Sequence, residues 1–281
     1  MIYKAYAKIN IGLRVLNKRD DGFHNIETFF QQIDLYDDLE ISATNDGRIH
    51  LTCSDEKCPT DESNLVYKAA ALLKQSLDSP ALGCRINIQK RIPMGGGLGG
   101  GSSNAATTLS ALNKLWHANI PHTHLCKLAL KIGSDVPFFL IGGFALGSGR
   151  GEILHPIDFK VPYYGLLYCP NISISTPWAY KNMNLNLTKS NKIGKFIDFV
   201  PELHLITRWT ENLPNDLESV VFVKHNNFSE ILDNFYAANA FYARMSGSGS
   251  TLFGLFKTLT LAKEAKISLA QKHKTILFAP L

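Results

Sequence analysis

Residues 93–103, Pro-Met-Gly-Gly-Gly-Leu-Gly-Gly-Gly-Ser-Ser, constrain this chain more than any others, because six of the seven positions from 95 to 101 are glycine. A backbone without Cβ atoms takes positive φ at no steric cost and brings its N–H groups close to a ligand. The run follows a short strand pattern at 84–89, with Ile86 and Ile88 on one face, and a break at Pro93. It leads into a helical stripe over 102–116, apolar at 105, 106, 109, 112, 115 and 116. Flexible linkers rarely run from a strand straight into a strong helix. A glycine loop at a helix N-terminus combines unpaired N–H groups with the positive end of the helix dipole, and an anion is favoured there. Pro93, Met94, Gly95, Gly96, Gly97, Leu98, Gly99, Gly100, Gly101, Ser102 and Ser103 are therefore the expected phosphate cradle. The hydroxyls of Ser102 and Ser103 stand where they can cap the helix, touch phosphate or reach a bound cation.

The class of phosphate site narrows by exclusion. Gly95-x-Gly97-x-x-Gly100 matches the dinucleotide fingerprint, but no acidic residue follows at the required distance, near 115–119. No GK[ST] closes the loop, and no HRD or DFG set accompanies it. Three further segments carry usable chemistry. Ala7-Lys8-Ile9-Asn10 puts Lys8 and Asn10 on one strand face. Gly133-Ser134-Asp135-Val136-Pro137 sets a carboxylate at the mouth of an expected helix-to-strand turn. Met245-Ser246-Gly247-Ser248-Gly249-Ser250 is a second glycine loop, expected between a helix and a strand at 251–256; with Ser at 246 it is no GxSxG elbow.

Around these motifs the patterning is mixed. The first 60 residues alternate as strands, with a turn at Asp20-Asp21-Gly22. A helix spans 64–77, with Ser63 as its expected cap, and another spans 125–132, ended by Gly133. Residues 138–146 suit a buried strand or a short helix, and 147–151 read as flexible. The chain then restarts with Ile153 and Val161 and alternates helices at 191–209, 216–223, 228–242 and 260–272 with strands at 164–169, 251–256 and 275–279. An α+β protein of two lobes, 1–155 and 156–281, is expected.

With 45% apolar and 19% charged residues there is ample material for a dense core. The net charge of +5 is spread along the chain, which suits anionic small molecules and lacks the concentrated basic footprint of a nucleic-acid binder. Five scattered cysteines form no CxxC, as in a reduced cytoplasmic protein. His117, His122, His124 and Cys126 crowd around Pro121 without a carboxylate, where one helix ends and the next begins, which is a poor metal site. The N-terminus alternates like a strand and lacks the apolar core of a signal peptide, and no stretch is long enough to cross a membrane, so a cytoplasmic enzyme is expected. Oligomeric state is left open.

Six segments together resemble the GHMP kinases. They are AKINIGLRV at 7–15, DDGFHNIETFFQQIDLYDDLEI at 20–41, IPMGGGLGGGSSNAATTLSALNKLW at 92–116, GSDVPFF at 133–139, NDLE at 215–218 and MSGSGSTLFGLF at 245–256. The resemblance spans nearly the whole chain, is weakest over 176–212, and is closest to the branch whose acceptor alcohol carries a cytidine diphosphate. It implies a ribosomal-protein-S5-like N-terminal lobe and a ferredoxin-like C-terminal lobe with the active site between them. It implies ATP as phosphoryl donor with Mg²⁺, Ser103 being the best placed protein contact for the ion, and a small-molecule acceptor. Asp135 matches the family's base and Lys8 its partner cation, while Asn10 looks like a hydrogen-bond partner of the substrate. Phe23 and His24 match the pair that reads cytosine, and Tyr180, after Thr176, matches the ring on the base's other face. The family commonly has Tyr in place of Phe23 and Phe in place of Tyr180, so both π-faces survive. Thr176 belongs with the expected substrate contacts.

Overall fold

Alternating apolar residues at the start of the chain form β1 (Ile2–Lys18), which pairs with β2 (His24–Thr44) after the expected turn. The computed structural model describes residues 1–160, 163–183, 195–270 and 273–281. The chain divides into two compact units. The first comprises Met1–Ala7, Leu35–Pro93 and Gly99–Gly142; the second comprises Lys8–Asp34, Met94–Leu98 and Gly143–Leu281. These units interleave along the chain, with β1 and β2 running through both, so they are a different partition from the lobes 1–155 and 156–281.

In the first unit β3 (Ile49–Cys53) lies parallel to β4 (Gly83–Gln89), and β4 pairs antiparallel with the later half of β2, Ile41 opposite Ile86. Four helices pack with them: α1 (Leu65–Ser76), α2 (Gly100–Leu115), α3 (His122–Ile132) and α4 (Val136–Ile141). Ile86, Ile88, Leu73, Leu109, Leu112 and Val136 meet in their core, each stabilising the fold by about 1.5–3 kcal/mol if fully buried. The cap of α1 is Asn64, whose Oδ1 accepts from Val66 N at 2.8 Å. Ser63, the cap expected from sequence, instead donates its hydroxyl to Asp61 Oδ1 at 2.5 Å. The apolar run 138–146 is both alternatives in turn. Gly142 and Gly143, with φ of +74° and +67°, end α4 and start β5 (Phe144–Ser148).

In the second unit the early half of β2 pairs with β5, and β5 pairs with β6 (Ile153–Pro156). Residues 148–151, expected as part of a flexible stretch, form a turn closed by Gly151 N donating to Ser148 O at 2.9 Å, and Ile26 N of β2 donates to Gly149 O at 2.7 Å. A separate antiparallel sheet contains β7 (Tyr164–Cys169), β8 (Tyr242–Met245), β9 (Leu252–Phe256) and β10 (Lys274–Phe278). Its order, β10-β7-β9-β8, is 4-1-3-2 along the chain, as in a ferredoxin-like fold. The described helices here are α5 (Thr176–Lys181), α6 (Phe196–Phe199), α7 (Trp209–Asn212), α8 (Glu218–Lys224), α9 (Asn227–Ala237) and α10 (Leu259–Leu269). α9 and α10 pack on the sheet.

Three sequence expectations change here. The helix expected over 228–242 ends at Ala237; Asn239, at φ +67°, turns the chain into β8. The helix expected over 191–209 breaks into α6, two 3₁₀ turns and then Trp209, because Pro201 removes a helix donor. Residues 191–194 of that helix, Val161, and 271–272 of the last helix lie outside the described residues.

Candidate active site

Alternation along β1 places Lys8 and Asn10 on one face, as the sequence predicts. Lys8 is only 3% exposed, and its Nζ donates to Asn10 Oδ1 at 2.5 Å. Asn10 Nδ2 in turn donates to Thr28 Oγ1 at 2.9 Å, and the Thr28 hydroxyl donates to Gly12 O at 2.6 Å. A buried ammonium needs such partners, since desolvation without them is expensive. The ammonium also lies 5.5 Å from the centre of the Phe30 ring.

Both glycine loops reach this strand within the second unit. Lys8 N donates to Leu98 O at 3.0 Å, and Thr251 N donates to Gly96 O at 3.3 Å. Ser246 Oγ accepts from Asn10 N at 3.3 Å and donates to Gly97 O at 2.9 Å. Gly97, at φ +75°, leaves no room for a side chain: a Cβ there would sit 2.1 Å from Ser246 O. The loop 246–251 joins β8 to β9, so it connects two strands where the sequence suggested helix to strand.

The Asn-Asp-Leu-Glu segment before α8 holds that loop. Asn215 Nδ2 donates to Met245 O at 2.7 Å and Gly247 O at 2.8 Å. Asp216 Oδ2 accepts from Val15 N of β1 at 2.8 Å, and Glu218 Oε1 accepts from Met245 N at 2.7 Å. Burial pushes the Glu218 carboxyl up to about 7, with the nearby Arg244 partly opposing the rise.

The residues expected to contact the acceptor also fall in the second unit. The rings of His24 and Tyr180 stack with centroids 5.2 Å apart and 24° between planes. Burial, and then the charge of Lys18, lower the His24 pKa below 6.5. At neutral pH its imidazole is therefore uncharged, with one ring nitrogen donating and one accepting. Phe23 is 52% exposed and carries the Arg150 guanidinium 4.7 Å from its ring centre. The hydroxyls of Thr176 and Ser248 share a hydrogen bond of 2.7 Å.

In the first unit the loop expected to cradle phosphate continues from Gly99, which caps α2 at φ +69°. The helix starts at Gly100, two residues before the expected position, because glycines carry no side chain for an apolar periodicity to register. Neither serine hydroxyl caps it: Ser102 and Ser103 lie in its first turn, Ser102 partly exposed and Ser103 buried. Asp37 anchors the strand that leads to Pro93, its buried carboxylate accepting from Lys90 Nζ at 2.5 Å, Arg91 N at 2.7 Å and Ile92 N at 2.9 Å. Asn104 Oδ1, one residue beyond Ser103 along α2, is buried with no hydrogen-bond partner among the described residues. Asp135 is half-buried between α3 and α4, a helix-to-helix turn where the sequence suggested helix to strand. Its carboxylate does not cap α4.

Thus Lys8, Asn10, Phe23, His24, Thr176, Tyr180 and residues 94–98 belong to one unit, while Pro93, residues 99–103 and Asp135 belong to the other. The sequence reading missed roles for Asn104, Asn215 and Ser246. The segments that contain all three carry the resemblance, but single polar residues in them give no signal until their partners are known. Cys126 Sγ lies 3.5 Å from His122 Nε2 one helical turn away. Among the described residues no group of three or more His, Cys, Asp or Glu is arranged to hold a metal, and no helix is long and apolar enough to cross a membrane.

Known proteins match this chain over most of its length. The family described as GHMP kinases N terminal domain matches residues 64–143, and GHMP kinases C terminal matches residues 200–274. The 4-diphosphocytidyl-2-C-methyl-D-erythritol kinase of Chlorobium phaeobacteroides is 38% identical, covering 99% of this chain and 94% of its own length. A crystal structure of 4-(cytidine 5'-diphospho)-2C-methyl-D-erythritol kinase superposes with a TM-score of 0.84 at 32% identity, covering 100% of this chain and 99% of the other. A crystal structure of mevalonate kinase gives a TM-score of 0.75 at 16% identity over 100% and 99% of the two chains, a likeness of fold alone.

Proposed function

The chain belongs to the GHMP kinase family, and we propose that it transfers the γ-phosphoryl group of ATP to the 2-hydroxyl of 4-diphosphocytidyl-2-C-methyl-D-erythritol. The products are the 2-phosphate and ADP, in the non-mevalonate route to isoprenoid precursors. The observation that carries this reading is 38% identity, along 99% of the chain, to a kinase named for that substrate.

Phosphoryl transfer to an alcohol needs a proton acceptor for the hydroxyl and positive charge beside the developing anion. In our reading the Asp135 carboxylate takes the proton as the acceptor oxygen bonds the γ-phosphorus and the bond to the ADP oxygen breaks. Lys8 supplies the positive charge, and no phospho-enzyme forms. The hydrogen bond from Lys8 to Asn10 supports this role by holding the ammonium in one position. The glycine N–H groups and the start of α2 suit the donor phosphates.

A neutral His24 suits the donor-and-acceptor edge of cytosine. In the structure Tyr180 stacks on His24 and Phe23 carries Arg150. We keep Phe23 and Tyr180 as the rings that meet the base, and Thr176 as a neighbouring contact.

Mg²⁺ is expected to travel with ATP and neutralise phosphate charge when bound. Ser103, chosen from sequence as its contact, is buried, which leaves the partly exposed Ser102 as the more accessible hydroxyl.

Phosphorus NMR of the reaction mixture tests the chemistry. A new monoester signal with the cytidyl diphosphate intact is expected; cleavage of that diphosphate would contradict the proposal.

A further inference from the structure

We propose that Asn215 is a positioning residue of the transfer site, acting through the 245–250 loop on the Lys8–Asn10 pair and on the phosphate loop at once. Its carboxamide is buried and makes two long-range hydrogen bonds and one local one. Nδ2 donates to Met245 O at 2.7 Å and to Gly247 O at 2.8 Å, and Oδ1 accepts from Leu217 N at 3.0 Å. Two carbonyls converging on one point require a side chain with two N–H donors. A hydroxyl has one donor and a carboxylate none.

Between the two pinned carbonyls stands Ser246, whose hydroxyl accepts from Asn10 N and donates to Gly97 O. Gly247, the second pinned residue, packs so closely that a Cβ on it would approach Asn10 Oδ1 to 3.0 Å and Lys8 Nζ to 3.7 Å. Asn215 also bridges to Leu13 of β1, with Leu13 N donating to Pro214 O at 2.8 Å and Asp216 N to Leu13 O at 2.8 Å. The backbone of 214–216 therefore holds the strand that carries Lys8 and Asn10, while the Asn215 side chain between those bonds sets the curvature of the loop that touches Gly97.

The test compares Asn215→Asp, Ser246→Ala and the double variant by hydrogen–deuterium exchange and by steady-state kinetics with ATP and the cytidyl substrate. Asn215→Asp keeps the shape but turns a carboxylate toward two carbonyls. Exchange should rise over 245–251 and 94–98 and stay at the wild-type level in α10. Turnover should fall about 10- to 100-fold, the scale of a small misplacement of reacting groups, with a smaller change in either KM. Because both residues act through one loop, Ser246→Ala should cost less in the Asn215→Asp background than in the wild type. Asn215→Ser keeps one donor and should fall between; it also serves if Asn215→Asp does not fold. Wild-type exchange in both loops, or losses that simply add, would overturn the proposal. The kinetic arm rests on the kinase reading, but the exchange arm does not. A wild-type protein inert toward the cytidyl substrate would remove the former and leave the anchoring role decided by exchange alone.

Discussion

The Ser246 hydroxyl donates to the Gly97 carbonyl at 2.9 Å, joining two glycine loops that lie 149 residues apart in the chain. A contact of this kind explains why Gly97 is glycine. Its φ of +75° disfavours any L-residue, and the Ser246 carbonyl occupies the space a Cβ needs. Gly97→Ala should destabilise the protein by at least the roughly 1–2 kcal/mol of left-handed backbone strain, and raise the KM for ATP. Thermal melting and nucleotide titration measure the two effects; a variant unchanged in both would show that the loop adapts freely.

Asp135 occupies the N-cap position of α4 but its carboxylate makes no cap hydrogen bond, which leaves helix capping a poor account of the carboxylate. Asp135→Asn should keep nucleotide affinity and lose turnover by about 10²–10⁴-fold, the range for removing a general base. A non-hydrolysable ATP analogue and an ADP-release assay separate the two quantities. Near-normal turnover would remove Asp135 from the mechanism.

The His24–Tyr180 stack predicts selective damage to acceptor binding. Tyr180→Ala and His24→Ala should each raise the KM for the cytidyl substrate about 10- to 100-fold, on the scale of one stacking contact per base, with the KM for ATP unchanged. Burial holds the His24 pKa below 6.5, so acceptor affinity should be flat above about that pH and weaken only as the imidazole protonates on the acid side. A loss of affinity on the alkaline side would contradict a neutral His24.

Glu218 gives stability a pH dependence of its own. Its carboxyl titrates near 4.5 when unfolded and near 7 when folded, so the folded chain holds an extra proton between those values. The contribution to stability is full below about 4.5 and is lost as pH rises through about 7. Glu218→Gln mimics the protonated form and can still accept from Met245 N. Its melting temperature relative to wild type should increase from about pH 5 to about pH 8. A difference that is constant with pH would place the titration elsewhere.

Much of this was legible in the sequence because the relevant signals are local. The strict alternation of β1 predicted that Lys8 and Asn10 share a face, and the loop into α2 needed only its glycines. Elements that depend on partners were not legible. The strand β8 reads as part of a helix because the helical spacing of Phe228, Ile231, Leu232 and Phe235 runs on into Ala237–Tyr242 without a Gly or Pro, and Asn239 at positive φ turns the chain between the two. Ser63 and Asn64 are equally good caps on paper, and Asp61 decides between them by taking the Ser63 hydroxyl. Asn215 and Ser246 carry no periodicity, and their roles follow from carbonyls and backbone groups far away in sequence.

The acceptor is the central claim, and an ADP-release assay offering 4-diphosphocytidyl-2-C-methyl-D-erythritol, homoserine and mevalonate side by side tests it most directly. ATP-dependent turnover of the cytidyl compound, with neither rival above background, is the predicted result. Turnover of homoserine or mevalonate with none of the cytidyl compound would contradict it.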